Sequence, residues 1–196
     1  ARHKGKWDDN SYRLVSDGWH FVTSPIIVYE PHTVIDGLQL EYAYPDSDGY
    51  GYGFYSYESI TISNNIIRRT GHKGDRPGVS VGAISDGGYL YLWNNIVYDF
   101  DEGIIAGKER WTYDARSGFI RNNTVYNVSD TGIHCVHSPG NESISIHNNL
   151  VQNSGSNDYS VDYAQELSNN ISSDSTAPGS NSITNATVQF VDENND

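Results

Sequence analysis

The residues of this chain best suited to chemistry are a group of cations near its middle. Lys108, Arg110 and Arg116 bracket one loop-like segment, Arg121 follows shortly, and His134 and His137 recur about one period later. Cations beside a base are what β-elimination on a uronate polymer needs. Positive charge neutralises the carboxylate, and the base removes the acidified C5 proton. Lys108, His134, His137 and Arg116 are therefore the candidate catalytic residues. The same residue types also suit a solvated basic loop, and the sequence leaves both readings open.

Two acidic runs, Asp46-Ser47-Asp48-Gly49 and Asp99-Phe100-Asp101-Glu102, offer hard oxygen ligands. Asp99, Asp101 and Glu102 are candidate ligands for Ca2+, although Asp/Gly-rich segments are also ordinary turns. A third set is Tyr91, Trp93, Phe119, Arg121 and His147, the candidate substrate-binding residues. Flat aromatics flanked by hydrogen-bonding side chains suit the apolar faces of sugar rings. Long loops folded over them would instead make them a satellite apolar cluster. Tyrosine is abundant, with 15 in the chain, and the run from Tyr42 through Tyr57 reads as a lid or a second sugar-contacting surface. Cys135 is the only cysteine, so no internal disulfide forms, and it reads as a small buried hydrophobe.

A repeat positions all of these residues. Strand-like stretches run into a two-residue corner at Asp36-Gly37, Asn64-Asn65, Asn94-Asn95, Asn122-Asn123, Asn148-Asn149 and Asn169-Asn170, with first positions 28, 30, 28, 26 and 21 residues apart. Such a period marks a solenoid. Two residues before the corners stand Val34, Ile62, Leu92, Ile120, Ile146 and Leu167. Apolar residues alternating at period two indicate strands facing a core. The second corner position, Gly once and Asn five times, is expected in the left-handed conformation, with the first position stacked inward. Gly78, Gly103, Gly132 and Asp158 each lead a further strand, starting 14, 9, 10 and 10 residues after their corners. Each coil thus reads as strand, corner, strand, turn, strand and variable loop, and on this phase Tyr91, Trp93 and Phe119 share one outer face.

On these corners the chain resembles the right-handed parallel β-helix family, the pectate-lyase-like solenoids with an asparagine ladder. The resemblance covers roughly residues 30 to 175. It implies an all-β, single-domain right-handed parallel β-helix of about six coils. It carries no lyase signature residue by residue, and one solenoid hosts several chemistries as well as non-enzymes.

Composition and charge narrow the partners. The chain has 196 residues, 36% hydrophobic, with 19 Gly, which suits a thin-cored, turn-rich coil. The formal net charge is −13; residues 1–121 hold 16 acids and 12 bases, and residues 122–196 hold 9 acids and no base. That surface repels phosphate backbones, so nucleic acid is not an expected partner. No apolar run is long enough for a membrane span. Five N-x-S/T sequons, at Asn122, Asn127, Asn141, Asn170 and Asn185, fall in an Asn-rich repeat, and Asn122 is expected to be too buried for glycosylation.

Three segments follow: a partial first coil over 1–30, the β-helix coils over 31–175, and a C-terminal strand or capping tail over 176–196. The lack of Met and of an N-terminal cap predicts that the natural protein extends beyond Ala1. Three function classes remain. One is an extracellular polysaccharide-active enzyme, such as a lyase. Another is a non-catalytic carbohydrate-binding or cell-surface adhesion solenoid. The third is a structural piece such as a tail-spike, forming a homo-oligomer through an outer apolar stripe of Leu38, Ile66, Ile96, Thr124, Leu150 and Ile171.

Overall fold

A computed structural model describes residues 5–16, 24–44, 53–56, 58–71, 76–81, 88–107, 117–136, 143–162 and 166–190. Among them are strands only, numbered here in chain order, and every strand pairing is parallel. The first sheet holds β1 (Leu14–Ser16), β4 (Gln39–Tyr44), β7 (Ile66–Gly71), β10 (Ile96–Tyr98), β13 (Thr124–Val128), β16 (Leu150–Ser154) and β19 (Ile171–Ser172). The second holds β2 (Ile26–Val28), β5 (Phe54–Ser56), β8 (Pro77–Val81), β11 (Glu102–Gly107), β14 (Thr131–Val136) and β17 (Asn157–Val161). The third holds β3 (Thr33–Asp36), β6 (Ile60–Ser63), β9 (Tyr89–Trp93), β12 (Ser117–Arg121), β15 (Ser143–His147) and β18 (Glu166–Ser168). The fold is a parallel β-solenoid. Against an expectation of about six coils, four carry three strands and an Asn-Asn corner, β6–β8, β9–β11, β12–β14 and β15–β17, flanked by less regular turns.

The core is a set of columns that run from coil to coil. Ile62, Leu92, Ile120 and Ile146 stack in the third sheet, Leu40, Ile67, Val97, Val125 and Val151 in the first, and Val79, Ile104, Ile133 and Tyr159 in the second, all buried. Cys135 lies in the column of Val81, Ala106 and Val161 and is buried, as its neighbours predict. The glycines that lead the second-sheet strands are required by close approach. A Cβ on Gly103 would lie 2.3 Å from Val125 Cγ1 and 2.4 Å from the Gly132 carbonyl oxygen; one on Gly132 would lie 2.1 Å from Val151 Cγ1.

The corner is built the other way round from the sequence expectation. Asn64, Asn94, Asn122, Asn148 and Asn169 take positive φ, between 54° and 56°, and Asn65, Asn95, Asn123, Asn149 and Asn170 point inward and are buried. Alternation counted forward from Ile60 and Ile62 puts Asn64 inside, but the left-handed residue turns the chain and resets the count. Counting back from Ile67 gives the observed phase. Asn122 is consequently exposed, not buried. Each inward amide is fully used. Asn95 Nδ2 donates to the Ile62 carbonyl at 2.9 Å and to Asn123 Oδ1 at 3.0 Å, while Asn95 Oδ1 accepts from the backbone N–H and Nδ2 of Asn65.

The first corner is also displaced by one residue. Gly37 takes φ 74°, and the Leu38 N–H donates to Asn65 Oδ1, so the corner is Gly37-Leu38 and not Asp36-Gly37. Ile35 therefore pairs with Ile62, and Val34 faces outward at 63% exposure.

The outer face of the first sheet is covered toward both ends. Trp7 is buried beneath Arg68, whose Cζ lies 3.7 Å from the ring centroid, and Gln39 exchanges hydrogen bonds with the backbone of Asp8. Toward the other end Phe190 meets Tyr126 edge-on at 5.0 Å, and the Val188 N–H donates to Gln152 Oε1. The column expected as an exposed apolar stripe is accordingly interrupted. Ile66 is buried, Leu38, Ile96, Thr124, Leu150 and Ile171 are half-buried, and the corner shift puts Gln39 where Leu38 was expected.

Residues 173–183 add an irregular last turn, with Ser180 bridging Ser168 and Ile183 bridging Ile171. Ser182 Oγ accepts the Asn170 N–H and so ends the ladder. Asp158, buried, accepts bonds from the Ser154, Ser173 and Asp174 N–H groups. The Tyr159 phenol enters the core beside it and donates to the Asn149 or Ile171 carbonyl; burial pushes its pKa far above the usual phenol value.

Candidate functional site

Strand alternation on β6, β9, β12, β15 and β18 sends every second side chain out from the third sheet, and parallel in-register pairing sets them in columns. One column runs Ser63, Trp93, Arg121, His147, Ser168; the next runs Thr61, Tyr91, Phe119, Ser145, Glu166. The rings make contact. Tyr91 and Phe119 lie 4.7 Å apart between centroids, Trp93 and Phe119 5.7 Å, and Tyr89 and Tyr91 4.9 Å. His32 extends the row, its ring 5.6 Å from Tyr89 and its Nδ1 2.5 Å from the phenol oxygen. Tyr89, Tyr91, Trp93 and Phe119 are all half-buried.

Polar groups line the far side of the row. The Arg121 guanidinium sits 4.6 Å over Phe119 and donates from Nη2 to Ser145 Oγ at 3.1 Å. His147 Nδ1 is 2.7 Å from Ser168 Oγ, and its Nε2 is 3.8 Å from Glu166 Oε2. All five expected substrate-binding residues are thus brought onto one face. Tyr89 and His32 were missed. The alternation Tyr89-Leu90-Tyr91-Leu92-Trp93 carried the signal for Tyr89, whereas His32 reaches the face only because the first corner is shifted.

The candidate catalytic set is not assembled by the described residues. Lys108, Arg116 and His137, with Arg110, lie outside them, as do Asp46, Asp48, Tyr50, Tyr52 and Tyr57. Tyr42 and Tyr55, expected in a lid or a second sugar-contacting surface, are instead buried. His134 projects outward from the second sheet, away from the sulfur of Cys135 and on a different sheet from the aromatic row. Its Nδ1 is 3.2 Å from Glu102 Oε1. That hydrogen bond raises the imidazole pKa against the opposing effect of burial, helped by the charges of Glu102, Asp162 and Asp130.

The expected calcium ligands do not converge. Asp99, itself at φ 66°, accepts a hydrogen bond from Asn127 Nδ2, Asp101 accepts one from Ser129 Oγ, and Glu102 is turned to His134. Each acid binds the next coil, and among the described residues no three His, Cys, Asp or Glu side chains are grouped to hold a metal ion. No protein-family model, curated protein or solved structure matches the chain, so the site is read from its own geometry.

Proposed function

We propose that the outer face of the third sheet binds a polysaccharide and that the protein is an extracellular carbohydrate-engaging β-helix domain. The observation that carries this reading is the contiguous row His32, Tyr89, Tyr91, Phe119 and Trp93, bordered by Arg121, Ser145, His147 and Ser168. Sugar rings combine an apolar face with a hydroxyl rim, and a flat aromatic row with hydrogen-bonding side chains alongside complements both. Phe119 lies between Tyr91 and the Arg121 guanidinium. Tyr91 and Trp93, by contrast, have only the short Thr61 and Ser63 beside them on β6, which favours these two rings as the sugar-contacting surfaces.

The repeat of the columns matches an elongated ligand. Strands ~4.8 Å apart present equivalent positions at about the spacing of successive sugars, so a glycan lying along the solenoid axis would meet the two columns repeatedly. The net charge of −13 favours a neutral or weakly charged glycan over a polyanion. A right-handed, pectate-lyase-like coil belongs to the same proposal, supported by the Asn corner and by the strong right-handed preference of parallel crossovers. Binding is favoured over elimination because His134, the described member of the candidate catalytic set, stands on another sheet.

The test is calorimetric titration of the protein with neutral and acidic polysaccharides, read together with tryptophan fluorescence. Saturable binding of a neutral or weakly charged glycan that perturbs the Trp93 emission is expected. Absence of binding across such a panel would remove the reading.

A further inference from the structure

The hydrogen bonds at the end of the third sheet carry more than a binding surface requires. β15 and β18 pair with His147 opposite Ser168 and Ser145 opposite Glu166. Ser168 Oγ lies 2.7 Å from His147 Nδ1 and also accepts a 3.3 Å hydrogen bond from Asn169 Nδ2. Accepting from Asn169 leaves the Ser168 hydroxyl its own proton to donate. In the tautomer that carries the imidazole proton on Nε2, that donation goes to Nδ1. Nε2 faces Glu166 Oε2 at 3.8 Å. A hydroxyl, an imidazole and a carboxylate in this sequence form the constellation that activates a serine, recognised by geometry and roles and not by position in a chain.

We propose that Ser168 is the nucleophile of an ester-cleaving site, with His147 as its base and Glu166 stabilising the imidazolium. Ser168 Oγ attacks the acyl carbonyl as its proton passes to His147 Nδ1. The tetrahedral intermediate collapses by breaking the bond to the leaving alkoxide, which takes that proton and departs as an alcohol. Water, deprotonated by the same nitrogen, then adds to the acyl-serine, and its collapse releases the carboxylic acid and returns the proton to Ser168. Asn169 Nδ2 donates to Ser168 Oγ at 3.3 Å and so helps to hold the nucleophile beside His147. Glu166 is 74% exposed and beyond hydrogen-bond distance of Nε2, an arrangement suited to esters, whose alkoxide leaves more readily than an amine.

The substrate class follows from place, and this step rests on the glycan-binding reading. Trp93, Arg121, His147 and Ser168 are successive members of one column. At ~4.8 Å per strand, Ser168 stands about 14 Å from Trp93. A glycan chain seated on Trp93 and Tyr91 and running along the axis would carry a sugar two or three residues on past Ser168. The ester is accordingly an O-acyl group on a sugar hydroxyl.

The test uses an alkyl fluorophosphonate, which phosphonylates activated serines, and 4-nitrophenyl acetate, which needs no glycan. Peptide mass spectrometry is expected to place a single phosphonyl group on Ser168, and S168A is expected to lose labelling and at least about a hundredfold in acetate hydrolysis. E166Q, at an exposed position, is expected to fold as the parent does and to label about tenfold more slowly. Unmodified Ser168 in folded protein, or S168A hydrolysing as fast as the parent, overturns the proposal; E166Q labelling at the parental rate overturns the role given to Glu166. Glycan titration of the same samples separates the two readings. Labelling without glycan binding sinks the glycan reading alone, and binding without labelling sinks only the esterase.

Discussion

Asn95 donates two hydrogen bonds, from its backbone N–H and from Nδ2, to a single atom, Asn123 Oδ1, each at 3.0 Å. The same pair of bonds joins Asn65 to Asn95, Asn123 to Asn149 and Asn149 to Asn170. One side-chain oxygen therefore satisfies two buried donors of the coil before it.

Removing that oxygen should be costly. Asn123→Leu strands the two Asn95 donors and the Leu92 carbonyl that Asn123 Nδ2 serves, a loss of about 2–4 kcal/mol. Asn122→Leu forces a branched side chain into φ 54° and should lose about 1–2 kcal/mol. Asn122→Gly should be close to neutral. Urea denaturation midpoints should fall in that order, and Asn122→Leu proving the worst of the three would reverse the assignment of the corner.

The glycine column gives a second stability test. Gly132→Ala places a Cβ 2.1 Å from Val151 Cγ1 and 2.6 Å from the Asp158 carbonyl oxygen. Strands on both sides are fixed by ladder bonds, so the clash cannot relax cheaply, and a loss of about 2–3 kcal/mol is expected. Thermal melts of Gly132→Ala and Gly103→Ala would measure it.

Trp93→Ala tests the binding face. Loss of one stacking surface should weaken glycan affinity about tenfold, ~1.4 kcal/mol. Because Trp93 is only half-buried, the melting temperature should fall by just ~2–4 °C. A large fall in melting temperature with unchanged glycan affinity would identify Trp93 as packing.

His134 supplies a pH dependence. Its hydrogen bond to Glu102 and the surrounding acids raise the folded-state pKa above the unfolded one. The stabilisation is fully present below the ordinary imidazole value and is lost as pH rises through the raised one. Glu102→Gln should bring the imidazole titration, followed by NMR, back toward the ordinary value and flatten stability across that window.

Asp174 works with the opposite sign. Burial alone would raise its pKa, but bonds from the Thr176 hydroxyl and N–H and from the Asp158 N–H outweigh it and hold the carboxyl below the usual value. The stabilisation is present above the ordinary carboxylate pKa and lost as pH falls through the lowered one. Asp174→Asn should therefore lower stability at neutral pH and make it less sensitive to acid, measured as the slope of the melting temperature against pH.

The coil architecture was legible because corner spacing and apolar alternation are local signals that survive in any one coil. Alternation alone places Ile62, Leu92, Ile120 and Ile146 in the core. What alternation cannot carry is its own phase across a left-handed residue, and there Asn64 and Asn65 exchange roles. The first corner misled for a related reason. Asp36-Gly37 has turn composition, but only Gly37 takes the left-handed position, so every residue of β3 is displaced by one.

The aromatic face was legible for Tyr91, Trp93 and Phe119 because their columns could be counted back from the corners. Ser168 appeared in the same count but carried no signal, since a serine next to an Asn corner reads as a turn residue. Only the 2.7 Å contact with His147 marks it. Lys108, His137 and Arg116 fall between the repeating columns, where period and alternation carry no positional information.

The ladder runs one way, from the Leu38 N–H to Ser182, and each interior rung receives from the coil before and gives to the coil after. Any Asn-Asn corner is therefore chemically interchangeable with its neighbour. In genetic terms the coil is the unit of inheritance. Tandem duplication or loss of a segment running from one corner to the next hands every remaining asparagine the partners it already had, and lengthens or shortens the outer face of the third sheet by one step. Insertion of a single residue within β12 or β13 would instead throw the core columns out of phase. Lineages of such a chain should therefore diverge in length by whole coils and by loop residues, and hardly ever by one residue in a strand.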